Sequence, residues 1–296
     1  MKKNISKFVF LSPWLITLFL FWIYPLVYSF CLSFLEFNPL RPDKVKFIGI
    51  NNYIRLLSDP LFIKSIKNTV IFVIGTIPFT TLIALFLALL LSQKIPCKNF
   101  FKAGFFLPTI ISLVVISLVF KSLYAPHGYL NFILDSFGIK SKVWHLFGLP
   151  QGSWLLSPKW SLLFIMIMDV WAAIGFYMVL FLAALANISK EYYDAAKVDG
   201  AGAIQRFISI TLPLLKPMIL FVIVVNTIFT FQVFTEIYTM TPGGGVFQST
   251  ITVVYYLYEK AFRYFDMGYA SAMAYLLFSV IFIVSIIQMR LLKSEI

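Results

Sequence analysis

The sequence predicts an all-α integral membrane protein with six transmembrane helices, and three observations carry that expectation. Hydrophobic residues make up 60% of the 296-residue chain and charged residues only 12%, about half the share usual in a soluble domain. The mean hydropathy of +0.91 means more apolar side chains than the interior of a water-soluble globule of this size can hold. The apolar residues also fall in runs of about 20, the length that crosses roughly 30 Å of hydrocarbon. Such hydropathy excludes a disordered chain. The formal charge of +12 is no nucleic-acid footprint, because basic residues collect in the loops of membrane proteins and no aromatic-basic motif accompanies them.

The six runs cover residues 8–35, 69–91, 103–123, 160–186, 214–235 and 267–289, within a single membrane domain over 1–296. The first is preceded by Lys2, Lys3 and Lys7, as a signal peptide would be. It has no small-residue cleavage site and carries Trp14, Trp22 and Tyr24 over a greater length, so it reads as a retained span. An even number of spans puts both termini on one side. With cytoplasmic termini, the inner segments hold Lys2, Lys3, Lys7, Lys94, Lys98, Lys102, Lys190, Lys197, Arg206, Lys216, Arg290 and Lys293, half of the 24 basic residues. These segments are about half as long as the outer loops. Their basic density is therefore higher, and cytoplasmic termini are favoured.

The span centres are almost free of charge. No Lys or Arg lies there, and the one deeply placed acid expected is Asp169. A proton relay or a voltage sensor would string ionisable residues through the bilayer. Cys31 in the first span and Cys97 in a short inner loop cannot pair, so neither a disulfide nor a metal site is expected. His127 and His145 share one outer loop and read as loop polar groups. The chain has no G-x-x-x-x-G-K-[ST] phosphate loop, no G-x-S-x-G elbow and no H-E-x-x-H helix. No catalytic residue is therefore assigned, and any driving energy comes from ions or from a partner.

The long inner loop, 188–217, carries the strongest signal. Ser189 suits an N-cap and Glu191 and Asp194 suit the first turns of a helix over 190–198. Gly200 and Gly202 end it, and a second helix starting at Ala203 is punctuated by Pro213 and Pro217 where the chain returns to the membrane. A helix lying on lipid would show a basic face against an apolar one. This one presents Ala195 and Ala196 beside Asp194, small residues with an acid that suit close approach of another protein. The two readings stay open on the residues alone.

The loop resembles the signature segment of ABC-importer permeases, E-A-A, three residues, G, nine residues, I, one residue, L-P. Here it reads Asp194-Ala195-Ala196, Gly200, Ile210 and Leu212-Pro213, with Asp in place of Glu as the one departure. Tyr193 and Asp199-Gly200-Ala201 are similar to the carbohydrate (maltose/glycerol-phosphate-type) branch of that family. So are Phe47-Ile48-Gly49-Ile50-Asn51-Asn52-Tyr53, Asp59-Pro60-Leu61-Phe62 and Asn68-Thr69. Thr241-Pro242-Gly243-Gly244-Gly245 resembles its T-x-G-G-P turn, with Gly245 for the proline and a looser turn expected, and Gly268-Tyr269-Ala270-Ser271-Ala272 opens the last span in the same way.

The resemblance implies alternating access driven by ATP in partner subunits. Its partners would be a second related permease, two ATPase subunits that bind the ATP and Mg, an extracytoplasmic solute-binding protein and membrane lipid, in the cell membrane of a prokaryote. The short helix would be the coupling helix, with Tyr193, Asp194, Ala195, Ala196, Asp199 and Gly200 at the ATPase contact. In maltose-type relatives the positions matching Ala173 and Phe176 of the fourth span, and Asn226, Thr230 and Val233 of the fifth, touch sugar. Gln232 stands beside Val233 and alters that pattern. Polar groups in spans also glue helices together, and Asp169 suits an internal hydrogen bond or an ion pair as well as solute. Without a basic residue near any span centre, a neutral sugar or oligosaccharide fits better than glycerol 3-phosphate. An ion-coupled secondary transporter would show broken helices and more intramembrane acids.

Overall fold

Helices long and apolar enough to cross a membrane stand at five of the six expected positions, and a bent pair of helices stands at the third. The computed structural model describes residues 2–93, 95–149 and 152–292. Lys94 and Lys293, counted above among the inner basic residues, lie outside the described residues.

The first span, α1, runs Lys2–Leu18, passes through a π-helical turn at Phe19–Ile23 and continues over Tyr24–Leu32. A short hairpin follows, with β1 (Leu35–Glu36) antiparallel to β2 (Lys46–Phe47). Then come α2 (Asn51–Ser58) and the long α3 (Pro60–Ser92), which starts nine residues before the expected span. Asp59 sets that start: its Oδ1 accepts from the N–H of Leu61 at 2.9 Å, and Pro60 needs no partner in the first turn.

The third run is not the continuous helix expected over 103–123. It is α4 (Lys98–Ile110) and α5 (Leu113–Leu123), bent by 98°. Ile111 and Ser112 between them are extended, with ψ of 139° and 132°. Pro108 cannot donate to the Gly104 carbonyl, which weakens the last turn of α4. Ser112 is a residue type that opens helices, and its carbonyl accepts from Ile116 N at 3.1 Å.

The outer connection holds α6 (Tyr129–Ser136) and α7 (Lys140–Phe147). The fourth span is α8 (Ser161–Ala186), and the inner loop forms α9 (Lys190–Val198). The fifth span, α10, runs Ala203–Arg206, a π-helical turn Phe207–Thr211 and Leu212–Phe231. Pro213 and Pro217 do not interrupt it as expected. As in α1, where Pro25 follows a π turn, Pro213 comes just after one. The wider turn relieves the crowding that a proline ring otherwise creates against the preceding turn. The chain ends in α11 (Thr235–Met240), α12 (Val253–Tyr258) and α13 (Met267–Leu292).

The chain packs as two compact units, Met1–Ile63 with Tyr256–Ser279, and Lys64–Tyr255 with Val280–Ile296. In the first, Gly268 lies so close to the Leu35 carbonyl that a Cβ would sit 2.0 Å from its oxygen. Asn52 donates to the Ser33 and Leu35 carbonyls at 2.9 and 3.0 Å. Asp59 Oδ2 accepts from the hydroxyls of Tyr256 (2.7 Å) and Tyr269 (2.6 Å). Burial raises the Asp59 carboxyl, but the bonds from Tyr269, Tyr256, Leu61 and Phe62 outweigh it and hold the group below its ordinary value of 3.8. Asp59 therefore contributes stability that is complete above that value and lost as the pH falls below it. Thermal melting of the protein in nanodiscs checks this: Asp59→Asn melts below wild type at neutral pH, and the gap narrows on acidification through this window.

In the second unit α4 packs along α8, α8 against α10, and α5 against α11. The core there contains Ala84, Leu85, Ala88, Tyr177, Met178, Phe181, Leu215 and Val222, all buried. The small residues Ala84 and Ala88 let helices approach closely, as membrane helices require in the absence of a hydrophobic drive. Gly175 lies against the backbone of α4, where a Cβ would be 2.0 Å from the Phe105 carbonyl oxygen. Asn131 ties the outer connection together. It donates to the Ala125 and Gly152 carbonyls and accepts from the indoles of Trp144 and Trp154 at 3.0 and 3.1 Å.

Candidate solute cavity and coupling loop

The second unit contains a cavity of about 380 Å³, within the range of small-molecule sites. Ala173, Phe176 and Asp169 reach it from α8, Asn226 and Thr230 from α10, and Gln232 and Val233 from the non-helical turn after α10. All seven residues singled out from the sequence for a solute path thus line one cavity. They meet because α10 stops at Phe231 and the chain stays inside the protein, with Val233, Ile237 and Met240 buried.

Other wall residues carried no signal in the sequence. Pro108 and Thr109 of α4, Ile111 at the break, and Leu113 and Ile116 of α5 complete the wall, so the broken helix borders the cavity. Irregular backbone at membrane depth is tolerated where it lines such a space. Glu236 of α11 also lines it and is 5% exposed. Asp169 is therefore not the one deeply placed acid: Glu236 lines the same cavity. The expected end of the fifth span at Thr235 hid this, because a hydropathy window treats the residues beyond a span as loop.

The polar groups of α10 divide by face. Thr227 donates to the Ile223 carbonyl and accepts from Gln288 Nε2 of α13 at 2.9 Å, so it joins helices. Thr230 donates to Asn226 Oδ1 at 3.1 Å. Asn226 is 4% exposed, and its Nδ2 has no hydrogen-bond partner among the described residues. Gln232 bonds the Ile228 carbonyl at 2.8 Å.

The inner loop folds as its residue types require. Ser189 caps α9, accepting from Glu191 N at 3.3 Å. Gly200, with φ of +78°, ends it: Ala201 N donates to the Ala196 carbonyl (2.8 Å) and Gly200 N to the Lys197 carbonyl (3.1 Å). These two bonds are the Schellman closure that a left-handed residue permits. Asp194 pairs within the helix, with Lys197 Nζ at 2.7 Å, and the hydrogen bond and charge of that lysine hold its carboxyl below its ordinary value. Asp194, Ala195, Asp199 and Gly200 are exposed, and Ala196 is half-buried. Tyr193 points the other way, its hydroxyl 2.9 Å from Thr211 Oγ1 at the base of α10. Val198 and Ile204 are 88% and 77% exposed, an apolar surface that the motif spacing did not reveal.

A neutral hydrogen bond contributes about 1 kcal/mol, or roughly fivefold in an equilibrium. Tyr193→Phe is expected to speed amide hydrogen exchange across α9 by that factor and leave α3 unchanged.

The turn 241–245 is closely held rather than loose. Gly243, Gly244 and Gly245 all have positive φ (81°, 79° and 76°), which proline cannot adopt. Thr241 and Thr250 meet through their hydroxyls at 2.8 Å, and Gly243 N donates to the Tyr255 hydroxyl at 2.7 Å. Among the described residues no group of His, Cys, Asp and Glu is arranged to hold a metal ion.

Helices of membrane-crossing length and a partly polar cavity bordered by a broken helix are what a membrane transport component needs. The chain belongs to the family of binding-protein-dependent transport system inner membrane components, whose model matches residues 9–296. It is 35% identical over 288 residues to the lactose transport system permease protein LacF of Rhizobium radiobacter, covering 96% of this chain and 93% of that one. It is 31% identical over 293 residues to the arabinooligosaccharides transport system permease protein AraP of Halalkalibacterium halodurans, covering 98% and 88%. The same fold occurs in the crystal structure of a bacterial ABC transporter involved in the import of the acidic polysaccharide alginate. There the TM-score is 0.85 at 21% identity, covering 99% of this chain and 96% of that one. As a permease subunit, the chain is not itself an ATPase.

Proposed function

We propose that this chain is one of two permease subunits of an ABC importer that moves a sugar or oligosaccharide into the cytoplasm. The observation that carries the reading is the path of α10. The π turn in its first third holds Thr211, hydrogen-bonded to Tyr193 of the exposed coupling helix, and its far end brings Asn226 and Thr230 to the cavity. A partner that docks on Asp194, Ala195, Ala196, Asp199 and Gly200 and moves α9 therefore moves a cavity wall. Two ATPase subunits, holding ATP and Mg, supply that movement, and a solute-binding protein delivers the sugar to the outer mouth. The other permease is a related but different chain, giving a pseudo-twofold heterodimer. Both termini face the cytoplasm of a prokaryote, and the chain acts as one permease domain.

The relatives named for lactose and arabinooligosaccharides support a saccharide solute. Ala173 and Phe176 give a pyranose the small and aromatic wall its apolar face needs, and Asn226 and Thr230 serve its hydroxyls. Glycerol 3-phosphate fits poorly, since no Lys or Arg among the described residues lines the cavity. The broken helix and the two acids also occur in ion-coupled transporters, but family membership favours the importer.

Affinity purification of the chain from cells expressing its neighbouring transport genes tests the assembly. An ATPase subunit and a second permease should co-purify, and scrambling residues 194–200 should release the ATPase. Recovery of this chain alone from gentle detergent would overturn the reading.

A further inference from the structure

The second unit also has a groove of about 410 Å³ whose lining carries no charged side chain. Leu87 of α3, Phe101, Gly104, Phe105 and Pro108 of α4, and Trp171 of α8 line it. Gly104, Phe105 and Pro108 stand three, four and seven positions after Phe101, so they form one stripe along a helix face. The stripe runs roughly 10 Å, most of the way through a hydrocarbon leaflet of about 15 Å. Phe101, Phe105 and Trp171 are 45%, 39% and 46% exposed, so the chain itself leaves the groove open. At Gly104 nothing beyond its own helical turn comes within 4 Å of where a Cβ would be. The missing side chain is what hollows the stripe.

The end of the groove at the start of α4 is basic. Lys98 stands one turn before Phe101 and Lys102 one turn before Phe105, so both continue the edge of the stripe. Helical side chains lean toward the N-terminus, which carries these two ammonium groups toward the membrane surface. Neither has an acidic partner among the described residues, and Lys98 Nζ donates to the Ser92 carbonyl at 3.5 Å. No Asp or Glu occurs between Asp59 and Asp135, so no nearby stretch of sequence supplies one. An occupant therefore has to be apolar over the length of the stripe and anionic at the end beside the first turn of α4. A membrane helix of another protein carries an acid only at a cost. A phospholipid with an acidic headgroup has both parts, an acyl chain for the groove and a negative charge at the level of the lysines.

We propose that the groove between α3, α4 and α8 holds an acyl chain of an anionic phospholipid whose headgroup sits on Lys98 and Lys102. The inference does not depend on which solute is carried. It reaches the cavity all the same, because Pro108 lines both spaces and the acyl chain lies against the outside of the cavity wall.

Quenching of Trp171 fluorescence by brominated lipid tests it. The complex is reconstituted in phosphatidylcholine bilayers doped with phosphatidylglycerol or phosphatidylcholine brominated in the acyl chains. The Trp171 signal is the wild-type emission less that of Trp171→Phe. Brominated phosphatidylglycerol should half-quench it at a lipid fraction roughly tenfold below that needed with brominated phosphatidylcholine. Lys98→Gln with Lys102→Gln should remove this preference. Quenching by the neutral lipid should persist there, which shows that the groove is still folded. Gly104→Leu should weaken quenching by both lipids, since its side chain fills the groove without displacing a packed neighbour. Equal quenching by the two lipids in the wild type, a preference that survives the lysine variant, or unchanged quenching in Gly104→Leu overturns the inference. So does a Trp171 that neither lipid quenches, the result expected if a second permease covers the groove.

Discussion

Complexes carrying Gly200→Val are expected to lose solute-stimulated ATP hydrolysis by roughly tenfold or more, while Gly200→Asn stays within about twofold of wild type. The reason lies in the backbone. Gly200 has φ of +78°, a conformation that costs an ordinary L-residue about 1–2 kcal/mol and a β-branched one more. Relieving that strain breaks the bonds from Gly200 and Ala201 to the carbonyls of Lys197 and Ala196 and turns α9 relative to α10. Apart from its chain neighbours, no described residue has an atom within 4 Å of where a Cβ at Gly200 would be, so the loss does not come from a clash with a packed neighbour. Asparagine adopts the left-handed region and separates backbone strain from simple bulk at the partner surface. ATPase rates in proteoliposomes, with and without loaded binding protein, read the outcome. Normal stimulation in Gly200→Val would show that the turn does not position the coupling helix.

Gly175→Val should leave almost no folded protein in the membrane, and Gly175→Ala should lower the melting temperature clearly. Here the obstacle is contact. A Cβ would lie 2.0 Å from the Phe105 carbonyl oxygen and 2.9 Å from Phe106 Cα, both backbone atoms that move only if α4 parts from α8. Overpacking of this kind costs roughly 1–3 kcal/mol for small additions and more for larger ones. The damage reaches the cavity, because Pro108 and Thr109 follow on α4 and Asp169 and Ala173 lie on α8. Gly104, also on α4, has open space where its Cβ would be, with nothing beyond its own helical turn within 4 Å. Gly104→Ala is therefore the matched control and should melt near wild type. Size-exclusion profiles and melting curves in detergent compare the three variants. Equal yields of Gly175→Val and Gly104→Ala would contradict the packing described.

The inner loop was readable because its shape is set by local spacing. Ser189, Asp194 and Gly200 act on backbone within a few residues of themselves, and cap, helix and turn all stand where their residue types place them. The cavity wall was readable to the extent that it lies on single helices, as Asn226 and Thr230 do, one turn apart on α10. Features that depend on direction or on distant chain were not readable. The 98° bend between α4 and α5 changes the course of the chain without changing its apolar composition, so a hydropathy run passes through it. Glu236 joins Asp169 in the cavity wall only because the chain turns back inward after Phe231, and neither residue signals the other in sequence. Pro213 looked like a helix end because a proline is judged against regular α-helix, and the π turn before it changes that judgement. Gly268 and Asn52 lay within motifs, yet their reasons, close approach to Leu35 and bonds to its carbonyl and that of Ser33, needed the folded chain.

The central claim is that the coupling loop and the cavity work on one solute path. The complex reconstituted in proteoliposomes, with binding protein and a radiolabelled neutral disaccharide outside and ATP inside, measures it as sugar accumulated per ATP hydrolysed. Wild type should accumulate sugar only with hydrolysable ATP. Asn226→Leu should depress uptake while leaving the ATPase bound, and a scrambled 194–200 should abolish both uptake and stimulated hydrolysis. ATP-dependent accumulation that survives the scrambled loop, or that is indifferent to Asn226→Leu, would contradict the account.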